Sequence, residues 1–522
     1  MPHLLPARIS KHRLLWACCV LLLYGFYMVW PINLYLAESL KSTYLQAFIP
    51  VFVAAVLYFR RRCGAFEYRL MLAFLLWFFL TRLMNRNYAL LGEYVFLEDL
   101  ALMIPMTLLG LYLSAEERRY FLNWFSAVVG GFYFLLGLVA LSLFVRRGIW
   151  INPANEISLG VYSSEGFQRL NLFDVNPCVT AYWYLAAFYL MVYQFFACRR
   201  KLWRIPIVLA ALVFLAVIAC TYTRSVKLGI ALTLGLLAAS ELGRLLKRSR
   251  RLLRLPVLIL TCLTATLLLY ECSDLLAQGI SKLSYTLYPL QIEQPVQASP
   301  APAPATPTPA PATPSPAPAT PSPAPAPAEG KKTAARPSDA RPQLLSSKSK
   351  SSVQALDENT PIWVDKVVDP RKWSGNLDRI SSARFTVWRS AYLALKLDPS
   401  VLWRGKLLRD SMKLSNPFTP HNPYHYHNVP IQALMTTGIP GFLLVTALML
   451  CVLYKALRLL FSHDPRIPLP ARVLALPVIG VQFYSMLEIG MYTATDIRAL
   501  YYYIMSGLLL GVYRDLFPEA RF

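Results

Sequence analysis

Residues 121–144 read FLNWFSAVVGGFYFLLGLVALSLF, without one charged side chain. At about 1.5 Å rise per residue a helix of this length reaches about 36 Å, enough to cross a hydrocarbon core of about 30 Å. The stretch is therefore read as a transmembrane helix, and its composition is that of the whole chain. With 56% hydrophobic and 15% charged residues, the 522-residue sequence is too apolar for a soluble protein and too interrupted for one buried core.

Working outward, further apolar runs lie at Leu14–Trp30, Ala47–Phe59, Tyr68–Leu83 and Val95–Leu113 on one side. On the other lie Cys178–Ala197, Pro206–Cys220, Leu228–Leu242, Pro256–Tyr270, Pro430–Leu453, Ala471–Leu487 and Ala499–Val512. The expected fold is an all-α polytopic membrane protein of about 12 transmembrane helices, with one large extracytoplasmic loop containing short amphipathic helices. Leu14–Trp30 has no small-residue cleavage site and runs into Pro31, so it is read as the first span and not as a signal peptide. The nine cysteines lie mostly inside spans without metal-ligand spacing, which argues against a disulfide framework.

The net charge of +24 is explained by topology and needs no nucleic-acid partner. An inside N-terminus puts Arg8, Lys11 and Arg13, Arg60 to Arg62, Arg118 with Arg119, Arg199 to Lys201, the cluster Arg244 to Arg254, and Lys455, Arg458 and Arg466 on the cytoplasmic side. Both termini are then cytoplasmic. Residues 1–270 form the N-terminal helices, about nine, and 430–522 the C-terminal ones, about three. Three segments fall outside: 146–177, a tight hairpin at 221–227, and the large loop 271–429. Within that loop, residues 298–328 alternate Pro with Ala, Thr and Ser, a polyproline II spacer. The basic, polar stretch 331–352 has no periodicity and is expected to stay unfolded.

Ser382 to Leu397 carries Phe385, Trp388, Tyr392, Leu393 and Leu395 at mixed three and four spacing, with Ser381 or Ser382 to cap it and Asp398-Pro399 to end it. This is an amphipathic helix near the membrane. Outer arginines run against the positive-inside distribution, so those on short or amphipathic segments invite a ligand. Arg224 sits in a hairpin too short to leave the interface. Arg384 shares a helix face with Trp388, four residues on, whereas Arg389 faces elsewhere. A planar guanidinium suits a diphosphate, though lipid phosphate at the interface would also satisfy it.

The run His421-Asn-Pro-Tyr-His425-Tyr-His427-Asn428 would allow chelation by imidazoles two apart, but no outer Cys, Asp or Glu stands at ligand spacing, and no metal is expected. His427 lies at the membrane boundary, where an imidazole either takes a proton from an attacking hydroxyl or caps the next helix. Glu98 with Asp99, and Glu488 with Asp496, stand near outer span ends; they are functional candidates or partners of Arg82, Arg86 or Arg498.

His427-Asn428, then Gly438 and Gly441 ahead of an apolar span, resemble the histidine–glycine pattern of the O-antigen ligase and O-antigen polymerase superfamily. Ser382-Ala-Arg384-Phe-Thr-Val-Trp388 with Asp398-Pro399 and Gly405, the hairpin Thr223-Arg224-Ser225, and Arg169 to Pro177 resemble further segments of that family in order. Trp403 stands where the family often has the first glycine of a Gly-x-Gly pair, and the Pro/Ala insertion departs from the pattern.

The resemblance implies a membrane glycosyltransferase that moves a glycan from an undecaprenyl diphosphate carrier to a hydroxyl acceptor, without cofactor or metal. It implies catalytic roles for His427, Arg384 and Arg224, and substrate contacts from Arg169, Arg389, Trp388, Asn428 and Asp496. The implied setting is the bacterial inner membrane, with lipid A core as acceptor. A polymerase that extends a carrier-linked glycan and a protein O-oligosaccharyltransferase are the alternatives. A transporter or flippase is disfavoured, because the two halves of the chain show no similarity and the single long loop breaks the symmetry.

Overall fold

A computed structural model of the chain describes parts of 17–28, residues 66–85, 106–146, 149–151, 158–164, 167–172, 177–246, 251–287, 384–419, 423, 425–491 and 497–517. All structural statements below concern these residues. The spacer 298–328, the stretch 331–352, the run Ala47–Phe59, and Glu98, Asp99, His421 and Asp496 lie outside them.

The described chain is mostly helical. The long helices are α1 (Phe66–Met84), α2 (Ala115–Val145), α3 (Pro177–Ala197), α4 (Arg204–Cys220), α5 (Arg224–Leu245) and α6 (Arg251–Leu287). From residue 384 come α7 (Arg384–Leu397), α8 (Val401–Arg404), α9 (Leu408–Ser415), α10 (Val429–Leu460), α11 (Leu469–Val473), α12 (Ala475–Ser485) and α13 (Ile497–Leu516). Five are long and apolar enough to cross a membrane: those at Ala115–Val145, Lys201–Cys220, Arg224–Leu245, Leu255–Ser284 and Val429–Leu460. The pair α11 and α12 is apolar but shorter. The expectation of about twelve spans thus corresponds to five by this measure among the described residues. α1 carries Glu67, Arg69 and Arg82 within its 19 residues, and α13 carries Arg498, Arg514 and Asp515.

Two expectations are corrected. The fold is not all-α: the segment after α2 forms an antiparallel sheet of three strands, β1 (Ile149–Ile151), β2 (Ser158–Ser164) and β3 (Phe167–Leu172). Ser164 pairs with Phe167, so only Glu165-Gly166 joins β2 to β3, a length typical of tight hairpins. Leu159, Leu170 and Leu172 are buried and belong to the main apolar core, so the sheet closes one end of the bundle. A sequence scan for spans misses strands this short. Second, α6 does not stop at Tyr270 but continues to Leu287, the turns beyond Tyr270 being tied back by Ser284 Oγ donating to the Val145 carbonyl at 2.8 Å.

Helices 4, 5 and 6 run as adjacent hairpins, and α3 fills the centre with 14 of its 21 residues buried. Two of its tyrosines pair their hydroxyls: Tyr189 bonds Thr233 Oγ1 at 2.8 Å and Tyr182 donates to the Arg498 carbonyl at 3.0 Å. Such pairing offsets the cost of burying a hydroxyl where water is scarce.

Charged side chains join helices at the end remote from the sheet. Arg118 pairs with Asp515, Lys455 with Glu67, and Arg472 with Glu241, in each case with one partner almost fully buried. A buried charge is tolerated only when paired, which fixes the relative register of these helices.

A histidine–carboxylate–arginine cluster at the bundle end

The candidate site is assembled on α10. Asn428 is the N-cap: its side-chain oxygen accepts from the Ile431 N–H at 2.9 Å and its amide donates to the Met486 carbonyl at 2.8 Å. The helix is thus capped by Asn428, and His427 is left outside it. His427 has φ of 50°, a left-handed conformation that non-glycine residues rarely adopt and that marks strained or functional positions. The turn is over-determined by its neighbours. Tyr426, fully buried, donates its hydroxyl to the Ser411 carbonyl at 2.9 Å and bonds Ser415 Oγ at 2.8 Å, and its carbonyl accepts from Trp388 Nε1 at 3.0 Å. Trp388, expected to touch substrate, uses its indole N–H to hold the histidine loop.

A second clamp fixes α10 itself. Gly438 (φ 68°) interrupts the helix two residues before Pro440, whose ring cannot continue the hydrogen-bond ladder. A Cβ on Gly438 would lie 2.6 Å from the Trp403 carbonyl oxygen, and one on Gly405 (φ 60°) would collide with the Thr436 backbone. The two backbones therefore cross in direct contact, joined by the Lys406 N–H to the Met435 carbonyl at 2.9 Å. The glycines of the sequence pattern are needed for close approach and positive φ together. Upstream, Asp398 stops α7 by accepting from the Ser400 hydroxyl at 2.6 Å and pairing with Lys406 at 2.7 Å.

The side chain that organises the chemistry is Glu488, in the turn that closes α12, only 3% exposed. His427 Nδ1 lies 2.8 Å from one carboxylate oxygen, His425 Nε2 3.5 Å from the same oxygen, and Arg384 Nη2 3.3 Å from the other. Burial works to raise the Glu488 pKa, but the hydrogen bond with His427 and the charges of His427, His425 and Arg384 outweigh it and hold the carboxyl at about 2. Burial, then the adjacent His427, push His425 down to about 4, against the opposing pull of Glu488. A carboxylate at Nδ1 fixes the ring orientation of His427 and directs Nε2 as the basic nitrogen when the imidazole is neutral, a tautomer inferred from the network. The imidazole is about one-quarter exposed, so a ligand can reach it.

The expectation that no carboxylate accompanies the histidines is overturned in space: ligand atoms of His425, His427 and Glu488 lie within 4.8 Å of one another. Glu488 stands 61 residues from His427, outside any local spacing. The expected pairing of Glu488 with Arg82, Arg86 or Arg498 gives way to the His427 and Arg384 contacts. Arg82 instead stacks its guanidinium 4.2 Å from the Phe78 ring centroid.

Other expected residues approach the same end. Cys178, one residue into α3, is within electrostatic reach of Glu488, Arg384 and Arg169. Arg169 on β3 is half-buried, with a buried Nε that has no hydrogen-bond partner. Thr223 precedes Arg224, which opens α5 after a turn forced by Tyr222 at φ 53°. Arg224 is exposed and lies within electrostatic reach of Tyr270 on α6. Arg389 is half-buried on α7. Sequence reasoning missed the central role of Glu488 and treated His425 only as a possible metal ligand. The signal for Glu488 was a carboxylate at the outer end of an apolar run.

No curated protein and no solved structure matches the chain. One protein-family model does, the one described as O-Antigen ligase, over residues 208–446, a segment that contains Arg224, Arg384, Trp388, Arg389, His425, His427 and Asn428 and ends before Glu488. In that segment, on helices built for a membrane and with a site formed where it meets α12, the chain is similar to the O-antigen ligase family.

Proposed function

We propose that the protein is a glycan ligase that transfers an oligosaccharide or polysaccharide from an undecaprenyl diphosphate carrier to a hydroxyl of lipid A core at the extracytoplasmic face of the bacterial inner membrane. The family match over residues 208–446 supports an O-antigen ligase or polymerase type of glycosyl transfer on lipid-linked glycans. The observation that carries the reading is the convergence of His427 and Arg384 on the single buried carboxylate of Glu488.

In the reaction, the acceptor hydroxyl gives its proton to His427 Nε2 while its oxygen forms the bond to the anomeric carbon. The bond from that carbon to the carrier diphosphate breaks, and its electron pair leaves on the diphosphate. Glu488 holds the imidazole and stabilises the imidazolium that forms. Arg384 and Arg224 offer permanent positive charge to the leaving diphosphate, and Arg169, whose buried Nε lacks a partner, adds a third guanidinium on the donor side. Arg389 and Asp496 are assigned to substrate, Asn428 and Trp388 to holding the histidine loop. With guanidinium groups in place of a cation on the diphosphate, the transfer needs no metal, and the carboxylate that would complete a metal site is engaged by His427 and Arg384.

The test is the glycan profile of a deletion strain complemented with wild type, Arg224→Ala, Arg384→Ala or His427→Ala, each checked for membrane expression. A ligase defect leaves long polymer on the carrier and bare lipid A core. Acceptor bearing single repeats identifies a polymerase, and normal profiles in all three variants refute the site.

A further inference from the structure

At the opposite end of the bundle from Glu488, the ends of α2, α3 and α13 and the start of α11 enclose a cavity of about 470 Å³. One part of its wall is apolar, with Leu122, Phe196 and Val512; the rim carries Arg118, Arg119 and Arg199. Cys178 and Ala197 lie at opposite ends of α3, so the cavity is about 30 Å from the histidine cluster along that helix. It cannot be a subsite of the same reaction centre.

The charges at this rim do not balance. Arg118 is 2% exposed, donates to the carbonyls of Gly110 and Leu113, and forms an ion pair with Asp515. Asp515 also lies 3.9 Å from Arg514 Nε, so the only carboxylate in the lining is already engaged. Arg119 and Arg199 are exposed, and neither has a carboxylate within 4 Å among the described residues. Arg118 Nε, buried in this wall, has no hydrogen-bond partner. A buried N–H donor and two unneutralised guanidinium groups call for an anion with several acceptor oxygens.

The apolar wall says what the anion is attached to. α2 turns Trp124, Val128, Leu135 and Leu138 outward on the side away from the cavity, as a lipid-facing helix does. A free phosphate would leave the part-exposed Phe196 and Val512 against water, whereas a phosphodiester bearing acyl chains covers both parts. Basic pockets between membrane helices at the arginine-rich side suit such headgroups. We propose that this cavity binds the phosphate headgroup of an anionic glycerophospholipid from the leaflet opposite the histidine cluster.

The experiment uses the full chain, purified in mild detergent and exposed to phosphatidylglycerol, phosphatidylcholine or soluble glycerol phosphate, with retained ligand read by native mass spectrometry. Wild type should keep one phosphatidylglycerol through delipidating washes. The double variant Arg119→Gln, Arg199→Gln should lose at least about fivefold of that retention, and the charge-keeping Arg119→Lys, Arg199→Lys should hold it within about twofold, as expected when two charge-assisted contacts of this kind are removed or kept. Phe196→Trp, which fills the cavity and leaves every charge in place, should also lose it. Melting temperature in lipid-free detergent shows that each variant is folded. Equal retention in wild type and the Gln variant, retention of phosphatidylcholine to the same degree, no retained lipid in wild type, or displacement by equimolar glycerol phosphate would each overturn the proposal.

Discussion

Replacing Glu488 by Gln keeps the shape of the side chain and removes its charge, which makes it the sharpest probe of the cluster. The carboxylate faces the His427 Nδ1 donor at 2.8 Å and the Arg384 Nη2 donor at 3.3 Å. A primary amide can accept with its oxygen from one of them, and its NH2 then meets the other, donor against donor. A hydrogen bond involving a charged group contributes about 1.5–3 kcal/mol. If that loss is felt when His427 becomes positive in the transition state, the rate falls about 10- to 150-fold. The ground state suffers too, because Arg384 is left without its carboxylate. The assay is transfer from carrier-linked glycan to acceptor by purified, reconstituted protein, with size-exclusion profile and melting temperature confirming the fold. Glu488→Asp, which keeps the charge but draws it back by one methylene, should fall between wild type and Glu488→Gln. Transfer by a folded Glu488→Gln protein within about twofold of wild type would refute the positioning role of Glu488, since no charged contact of this strength would have been in use.

Further outcomes follow from the same geometry. Gly438→Ala must place a methyl 2.6 Å from the Trp403 carbonyl at a φ of 68°, so it should lower stability by at least about 1–3 kcal/mol, read as a depressed melting temperature; an unchanged melting temperature would contradict the crossing at Gly405. His427→Ala should abolish transfer, whereas His425→Ala should keep it within about tenfold and a chelator should leave wild type unaffected, as general acid–base catalysis here resides in one imidazole. Loss in all three tests would instead indicate a metal on His425, His427 and Glu488. Acid should weaken the fold in two stages. Between about 6.5 and about 4 the unfolded chain binds a proton at His425 that the folded chain does not, so stability falls as pH drops through that window. The stabilisation from Glu488 is complete above about 4.5 and is lost as pH falls toward about 2. Melting curves from pH 7.5 to 4 should show the first stage in wild type and lose it in His425→Ala.

Much of this molecule is legible from its residues alone. Uninterrupted apolar runs such as 121–144 determine helices that cross a membrane, because only self-satisfied backbones persist in hydrocarbon. The start of the helix after His427 was legible too, but its cap is Asn428 and not the histidine, because the shorter amide side chain reaches the Ile431 N–H. The amphipathic helix is found at Arg384–Leu397, where its spacing placed it. What the sequence could not fix is which charges meet. Glu488 reaches His427 and Arg384 across 61 and 104 residues, and the choice over Arg82 or Arg498 depends on how α12 turns back beside α10. Nor could it reveal the three-stranded sheet, whose strands are too short for their alternation to stand out and gain stability from α2 and α3 packed against them. Electrostatic pairing falls off over a few ångströms while chain separation sets no limit on approach, so the histidine that sequence spacing singled out acquired its carboxylate only in three dimensions.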